Sequence, residues 1–148
     1  MSIKLARDNA QQAGVANRVK FDVLGASKSL AGGCYDLVVV IEAIHDMSQP
    51  VEALRNIRSS LAPGGIAIVA DEKVGDSFSL EADDFEKMCY GASILLCLPN
   101  GMAEKPSAAA GTIMRRSTME RYAASAGFKK VDVLEIDHSW IRFYRLLP

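Results

Sequence analysis

The sequence predicts an α/β fold: an open, mostly parallel sheet, helices on both faces, and a C-terminal antiparallel hairpin. Three observations predict it. Two apolar runs, Asp36 to Ile41 and Ile66 to Ala70, are rich in Val and Ile, and each leads into acidic residues at its carboxyl end. One amphipathic helical stretch separates them, the pattern of neighbouring parallel strands covered on both faces. Two further strand-like runs, Lys130 to Ile136 and Ile141 to Leu147, are joined by Asp137, His138 and Ser139 and read as the hairpin. In an open sheet of this kind ligands bind beyond the carboxyl ends of the strands, which here means Glu42, His45, Asp46, Asp71 and Glu72.

Taken in order, Ser2 is an N-cap candidate, and Ile3, Ala6, Ala10 and Ala13 recur at helical spacing before Gly14 supplies a left-handed stop. Arg18 to Leu24 alternates polar and apolar residues like a half-buried strand, and Gly25 to Gly33 is a small-residue loop. Ser48 and Pro50 open the central helix. Val51, Leu54, Ile57 and Leu61 form its apolar stripe, and Pro63-Gly64-Gly65 stops it with a tight turn. Lys73 to Ser79 is a loop. Leu80 to Leu98 reads as one or two helices with Phe85, Met88, Cys89, Ala92, Leu95 and Leu96 on a buried side, ended by Pro99. Asn100 to Gly111 is expected to be a mobile surface loop. Ser117, three residues before Glu120, makes a capping box for a helix to Ala126, and Gly127 ends it.

At 148 residues, 49% of them hydrophobic, the chain has enough apolar material for one domain spanning residues 1–148 and is too short for two ordinary ones. A formal net charge of -1 gives no field that would draw nucleic acid or an anionic membrane, leaving a small molecule or a protein as partner. Cys34, Cys89 and Cys97 are odd in number, widely spaced and lack a CxxC pair, which supports neither a disulfide framework nor a zinc site. They are read as buried thiols in a reducing compartment. No apolar run approaches the ~20 residues that cross a bilayer, and the first ten residues lack the apolar middle of a signal peptide, so a cytoplasmic protein is expected.

SIKLARDNAQQAGVANRVKF, YDLVVVIEAIHDMSQPVEALRNIRSSLAPGGIAIVADE, GTIMRRSTMERYAASAGFKKVDVL and the closing RFYRLLP together resemble the middle and end of a class I S-adenosylmethionine-dependent methyltransferase of the small-molecule type. The resemblance covers nearly the whole chain and rests on the order and spacing of the acidic-ended strand, the helix, LxPGG and the second apolar strand. It implies a partial Rossmann-like methyltransferase sheet and S-adenosylmethionine as cofactor. It also implies what is missing. Family members begin with a strand and a glycine-rich turn against the methionine part of the cofactor, then a second strand whose terminal acid holds the ribose. Both would precede SIKLARDNA, so the chain is read as N-terminally truncated. The family often follows the next strand with an Asp that meets the adenine, where this sequence has Gly25 and Ala26.

Each lost hydrogen bond of this quality is worth about 1.5 to 3 kcal/mol. Several together remove ~5 kcal/mol or more, enough to abolish a micromolar site. Weak or absent cofactor binding by the isolated chain is therefore expected. The resemblance further places the two missing strands between RVKFDVL and YDLVVVI, leaving the latter with an open apolar edge. Either RVKFDVL moves in beside it or a second copy does, and a homodimer through this edge is the expectation.

Each candidate residue carries two readings. His45 is either a general base or substrate-orienting group, or a loop histidine capping the next turn. Asp46 is an optional base, and Asp71 and Glu72 either bind a substrate amine or are solvated strand-end carboxylates. Glu42 resembles the family residue lining the cofactor and substrate cleft, and Ala43 goes with it. Arg115, beside Arg116, either binds an anionic substrate group or is solvated. Trp140, Phe143 and Tyr144 are assigned to packing. Two functions from different classes follow: a methyltransferase impaired in cofactor binding, and a non-catalytic remnant that self-associates or binds a partner.

Overall fold

The computed structural model describes residues 2–28 and 34–148. The Gly32-Gly33 pair lies outside the described residues. Helix α1 (Ser2–Gln12) ends as expected, with Gly14 at φ 68. Strand β1 (Tyr35–Ile41) leads into a short 3₁₀ turn (Ile44–Asp46), then α2 (Pro50–Ser60) and β2 (Leu61–Glu72). Next come α3 (Asp84–Ala92), a π turn (Ser93–Cys97) and α4 (Leu98–Gly101), followed by α5 (Arg116–Ser125) and the hairpin of β3 (Lys130–Leu134) and β4 (Ile141–Leu147).

The sheet has the order β1-β2-β4-β3. β1 and β2 are parallel, and β4 runs against both β2 and β3, so three of the four strands point the same way. On one face Val38 and Val40 join Ala67, Val69, Tyr144 and Leu146 beneath α2 and α5, which contribute Leu54, Ile57, Met119 and Ala123 to one core. On the opposite face Leu37, Val39 and Ile41 are 53%, 51% and 61% exposed, so β1 is covered on one side rather than the expected two among the described residues.

That exposure has a counterpart earlier in the chain. Arg18 to Leu24 forms no strand, contrary to expectation, and of the two alternatives for the open edge it does not take the place beside β1. An alternating pattern becomes a strand only where a neighbour takes its backbone groups and its apolar face is buried. Here Val19, Val23 and Leu24 remain exposed.

The helix boundaries also differ in physical detail. α2 starts with Pro50 in its first turn, but it ends at Ser60, before Pro63. Tyr35 pairs with Leu61 and Leu37 with Ile66, so Ala62 to Gly65 bulge out of β2 rather than stopping the helix. Gly65 sits so close to β1 that a Cβ there would lie 2.6 Å from the Tyr35 carbonyl oxygen. Pro99 falls in the first turn of α4 instead of ending a helix. α5 has Arg115 at its N-cap without a side-chain cap, and Glu120 pairs with Arg116 at 2.8 Å, so the Ser117 capping box does not form.

The apolar stripe expected beyond Leu80 is only partly buried. Cys89 is inside, whereas Met88 is exposed on α3 itself, and Leu95 and Leu96 are exposed where the π turn rotates the helical face between Ala92 and Leu98. Cys97 is buried but Cys34 is exposed, correcting the reading of three buried thiols. Tyr144 is core, whereas Trp140 is exposed and stacks on Phe85 with ring centroids 6.1 Å apart. No helix among the described residues is long and apolar enough to cross a membrane.

Candidate functional site

The parallel pairing of β1 and β2 brings their carboxyl ends side by side, and the Glu42 backbone N–H donates to the Ala70 carbonyl at 2.9 Å. The chain then turns sharply. Glu42 adopts φ 50, in the left-handed region that only a held turn imposes on a side chain of this size, and the 3₁₀ turn follows. This turn carries His45 back over the end of β2. His45 is 3% exposed, and its Nδ1 lies 2.7 Å from Asp71 Oδ1 and 3.1 Å from Glu72 Oε2. Its other nitrogen, Nε2, lies 3.4 Å from Asp46 Oδ1. Asp71, 1% exposed, also accepts from the Glu72 backbone N–H.

The charges follow from this geometry. Burial opposes a charged His45, but hydrogen bonds to Asp71 and Glu72 outweigh it and push its pKa up to about 11. His45 is therefore an imidazolium at neutral pH. Burial raises Asp71 to about 7 against the pull of His45. Glu72 goes the other way: the hydrogen bonds from His45 and Asp71 overcome its burial and hold it at about 2. Glu42 is pushed up to about 7, first by burial and then by the charge of Glu72.

A cavity of about 260 Å³ opens beside these groups, lined by Glu42, Glu72, Phe85, Met88, Cys97 and Trp140, among others. On the other side of the 3₁₀ turn, Asp46 borders a second hollow of about 280 Å³ with Ala26, Ser48 and Asn100. Of the expected site residues, the fold brings together Glu42, Ala43, His45, Asp46, Asp71 and Glu72. Asp71 lies beneath His45, out of reach of a ligand. Arg115 stands apart: it pairs with Glu86 at 3.2 Å, donates to Tyr90 Oη at 2.7 Å and to the Gly75 carbonyl, and so ties α5 to α3 and the loop after β2. Reading the sequence missed Cys97, Phe85 and Trp140 as cavity walls. The first carries no local signal, and the two aromatics resemble ordinary packing residues until the hairpin and α3 meet.

Comparison with curated proteins gave no match. Among solved structures the fold is similar to a putative O-methyltransferase from Nostoc punctiforme, with a TM-score of 0.72 and 23% identity over 97% of this chain and 41% of that one. It is similar to PigF with SAH, TM-score 0.74 and 18% identity over 98% of this chain and 40% of that one. It also resembles NcsB1, an O-methyltransferase from neocarzinostatin biosynthesis, in complex with S-adenosyl-L-homocysteine and 1,4-dihydroxy-2-naphthoic acid. That match has a TM-score of 0.66 and 16% identity over 96% of this chain and 38% of that one. The chain thus spans about two fifths of the length of these structures. With residues 1–136 matching the family described as "Methyltransferase domain", and with the sheet, the bent β1 exit and the strand-end carboxylates in place, the chain belongs to the methyltransferase domain family.

Proposed function

We propose that this chain forms the acceptor side of a methyltransferase site for a hydroxyl-bearing small molecule. The observation that carries the reading is the buried His45 ring, braced at Nδ1 by Asp71 and Glu72, with Nε2 turned toward Asp46. Methylation of oxygen requires the acceptor hydroxyl to lose its proton as the new bond forms. The fixed N–H of an imidazolium favours that developing negative charge, and removal of such a donor typically costs about 10²–10³ in rate. Asp46, adjacent to Nε2, is the carboxylate placed to take the proton, a contribution of about 10²–10⁴. His45 thus acts as a charged donor that orients the acceptor, and not as a general base.

In this family S-adenosylmethionine supplies the methyl group. Glu42 and Ala43 are the residues present that can meet it. With nothing paired to the outer edge of β1 among the described residues, they bound it on one side only and do not fit the whole donor. Calorimetric titration of the 148-residue chain is expected to give a Kd above ~1 mM, and micromolar affinity would overturn this one-sided fit.

The acceptor reading is tested separately, by NMR titration with a panel of phenols and naphthols. Saturable binding that weakens at least tenfold in Asp46→Asn and His45→Gln supports it; absence of binding, or binding indifferent to both changes, refutes it. A second reading, a non-catalytic protein that self-associates, is favoured by the uncovered face and edge of β1.

A further inference from the structure

We propose that His45 Nε2, Asp46 Oδ1 and Cys97 Sγ form a site for a divalent cation of the Zn²⁺ type. A ring nitrogen of His45, a carboxylate oxygen of Asp46 and Cys97 Sγ lie within 4.8 Å of one another, and they come from two separate elements, the 3₁₀ turn and the last residue of the π turn. No sequence spacing connects them, which is why the CxxC criterion excluded zinc.

The donor set is the first argument. One imidazole nitrogen, one carboxylate oxygen and one thiolate sulfur are ligands that Zn²⁺ accepts, with a fourth position left for solvent. Bonds of the usual length put tetrahedral ligands about 3.3–3.7 Å apart. The 3.4 Å between Nε2 and Oδ1 already meets this, and Cys97 needs a movement of at most about 1.5 Å.

The second argument is orientation. The ring of His45 is fixed through Nδ1 by Asp71, the arrangement that holds metal-binding imidazoles and directs Nε2 at the ion. A site made of His45, Asp71 and Glu72 is excluded by the same hydrogen bond, since Nδ1 is already engaged. The third argument is a buried oxygen: Asp46 Oδ1 makes no hydrogen bond and faces His45 Nε2 at 3.4 Å. The field provides the fourth. The Asp71 and Glu72 carboxylates lie 2.7 and 3.1 Å behind the ring, and a cation bound at Nε2 displaces its proton to solvent. The Asp46 side chain, 36% exposed, gives the ion access.

A cation on Nε2 occupies the position from which His45 meets the acceptor, so Zn²⁺ is expected to block acceptor binding. That consequence rests on the proposed function; the site itself does not.

The test uses the 148-residue chain, freed of metal with a chelator and titrated with Co²⁺. Thiolate-to-cobalt charge-transfer absorption is expected to saturate at one Co²⁺ per chain and to be displaced by Zn²⁺. Cys97→Ser should abolish it, and Cys34→Ser and Cys89→Ser should retain it. Asp46→Asn should weaken Co²⁺ at least tenfold. No charge-transfer band, or a band that survives Cys97→Ser or depends on Cys34, overturns the site. If Co²⁺ binds as described while Zn²⁺ leaves phenol binding unchanged, the acceptor reading fails and the metal site stands.

Discussion

The His45 ring donates through Nδ1 to Asp71 Oδ1 across 2.7 Å, at a point where Asp71 is 1% exposed. A carboxylate at that depth cannot exchange its lost partner for water. Replacing His45 with Ala should therefore destabilise the fold by about 1–3 kcal/mol, the cost of leaving a buried carboxyl without its partner. Asp71→Asn, which keeps an acceptor for Nδ1–H, should cost less. Urea denaturation of the two single variants and the double variant, in a chelating buffer, should show strong non-additivity. Additive losses would mean that the two groups do not act as a pair.

Stability should peak on the acid side of neutrality. Asp71 and Glu42 are raised to about 7 from ordinary values of 3.8 and 4.5, so the folded state holds more protons than the unfolded chain between roughly pH 4 and 7. Stability then falls as pH rises through that window. His45, raised from 6.5 to about 11, stabilises fully below pH 6.5, and its contribution is lost as pH climbs toward 11. Glu72, lowered from 4.5 to about 2, has the opposite sign, contributing above pH 4.5 and losing its effect on further acidification. The three trends leave a maximum near pH 4 in chelated buffer. Melting temperatures that rise steadily from pH 5 to pH 8 would contradict this balance.

Much of this arrangement was legible in the residues before any coordinates. The acidic-ended apolar runs located β1, β2 and the carboxylates above them, because a buried parallel strand imposes its composition on the sequence. What the residues did not disclose depends on distant neighbours. Arg18 to Leu24 has the alternation of a strand, yet alternation records only that one face would be buried if a partner existed. Leu95 and Leu96 have helical spacing with Phe85, but the π turn before Leu98 breaks the phase that spacing assumes. His45 showed no sign of being buried, since its burial comes from folding back over β2. Cys97 joins it only through the packing of α4 against the 3₁₀ turn.

Three glycines give a graded test of the backbone. At Gly65 an added Cβ meets the Tyr35 carbonyl oxygen at 2.6 Å, against backbone that cannot move aside without breaking the β1–β2 register. Gly65→Ala should cost about 2–3 kcal/mol or more. Gly64 has φ 82 and open space around it, so Gly64→Ala carries conformational strain alone, about 1–2 kcal/mol. Gly91 lies within α3 with nothing within 4 Å, and Gly91→Ala should stabilise by about 0.5–1 kcal/mol. Denaturant midpoints should follow that order, and a Gly65 variant as stable as the parent would show that β2 does not approach β1 as closely as described.

The outer edge of β1 is expected to pair with a second copy of the chain. Its backbone groups have no strand partner on that side among the described residues, and Leu37, Val39 and Ile41 line the adjacent face at half exposure or more. An unprotected apolar edge of this kind is a template for pairing, and a twofold arrangement satisfies both copies at once. Val38 and Val40 face the core, so changing Val39 and Ile41 leaves the hydrophobic cluster untouched. Light scattering at micromolar concentration should report a dimer for the parent chain and a monomer for the Val39→Lys, Ile41→Lys variant, with helix and strand content preserved by circular dichroism. The charges act by repelling like charges across the twofold and by making burial of that face costly. A monomeric parent chain would remove the dimer outright, and a variant that remained dimeric would move the interface elsewhere on the molecule.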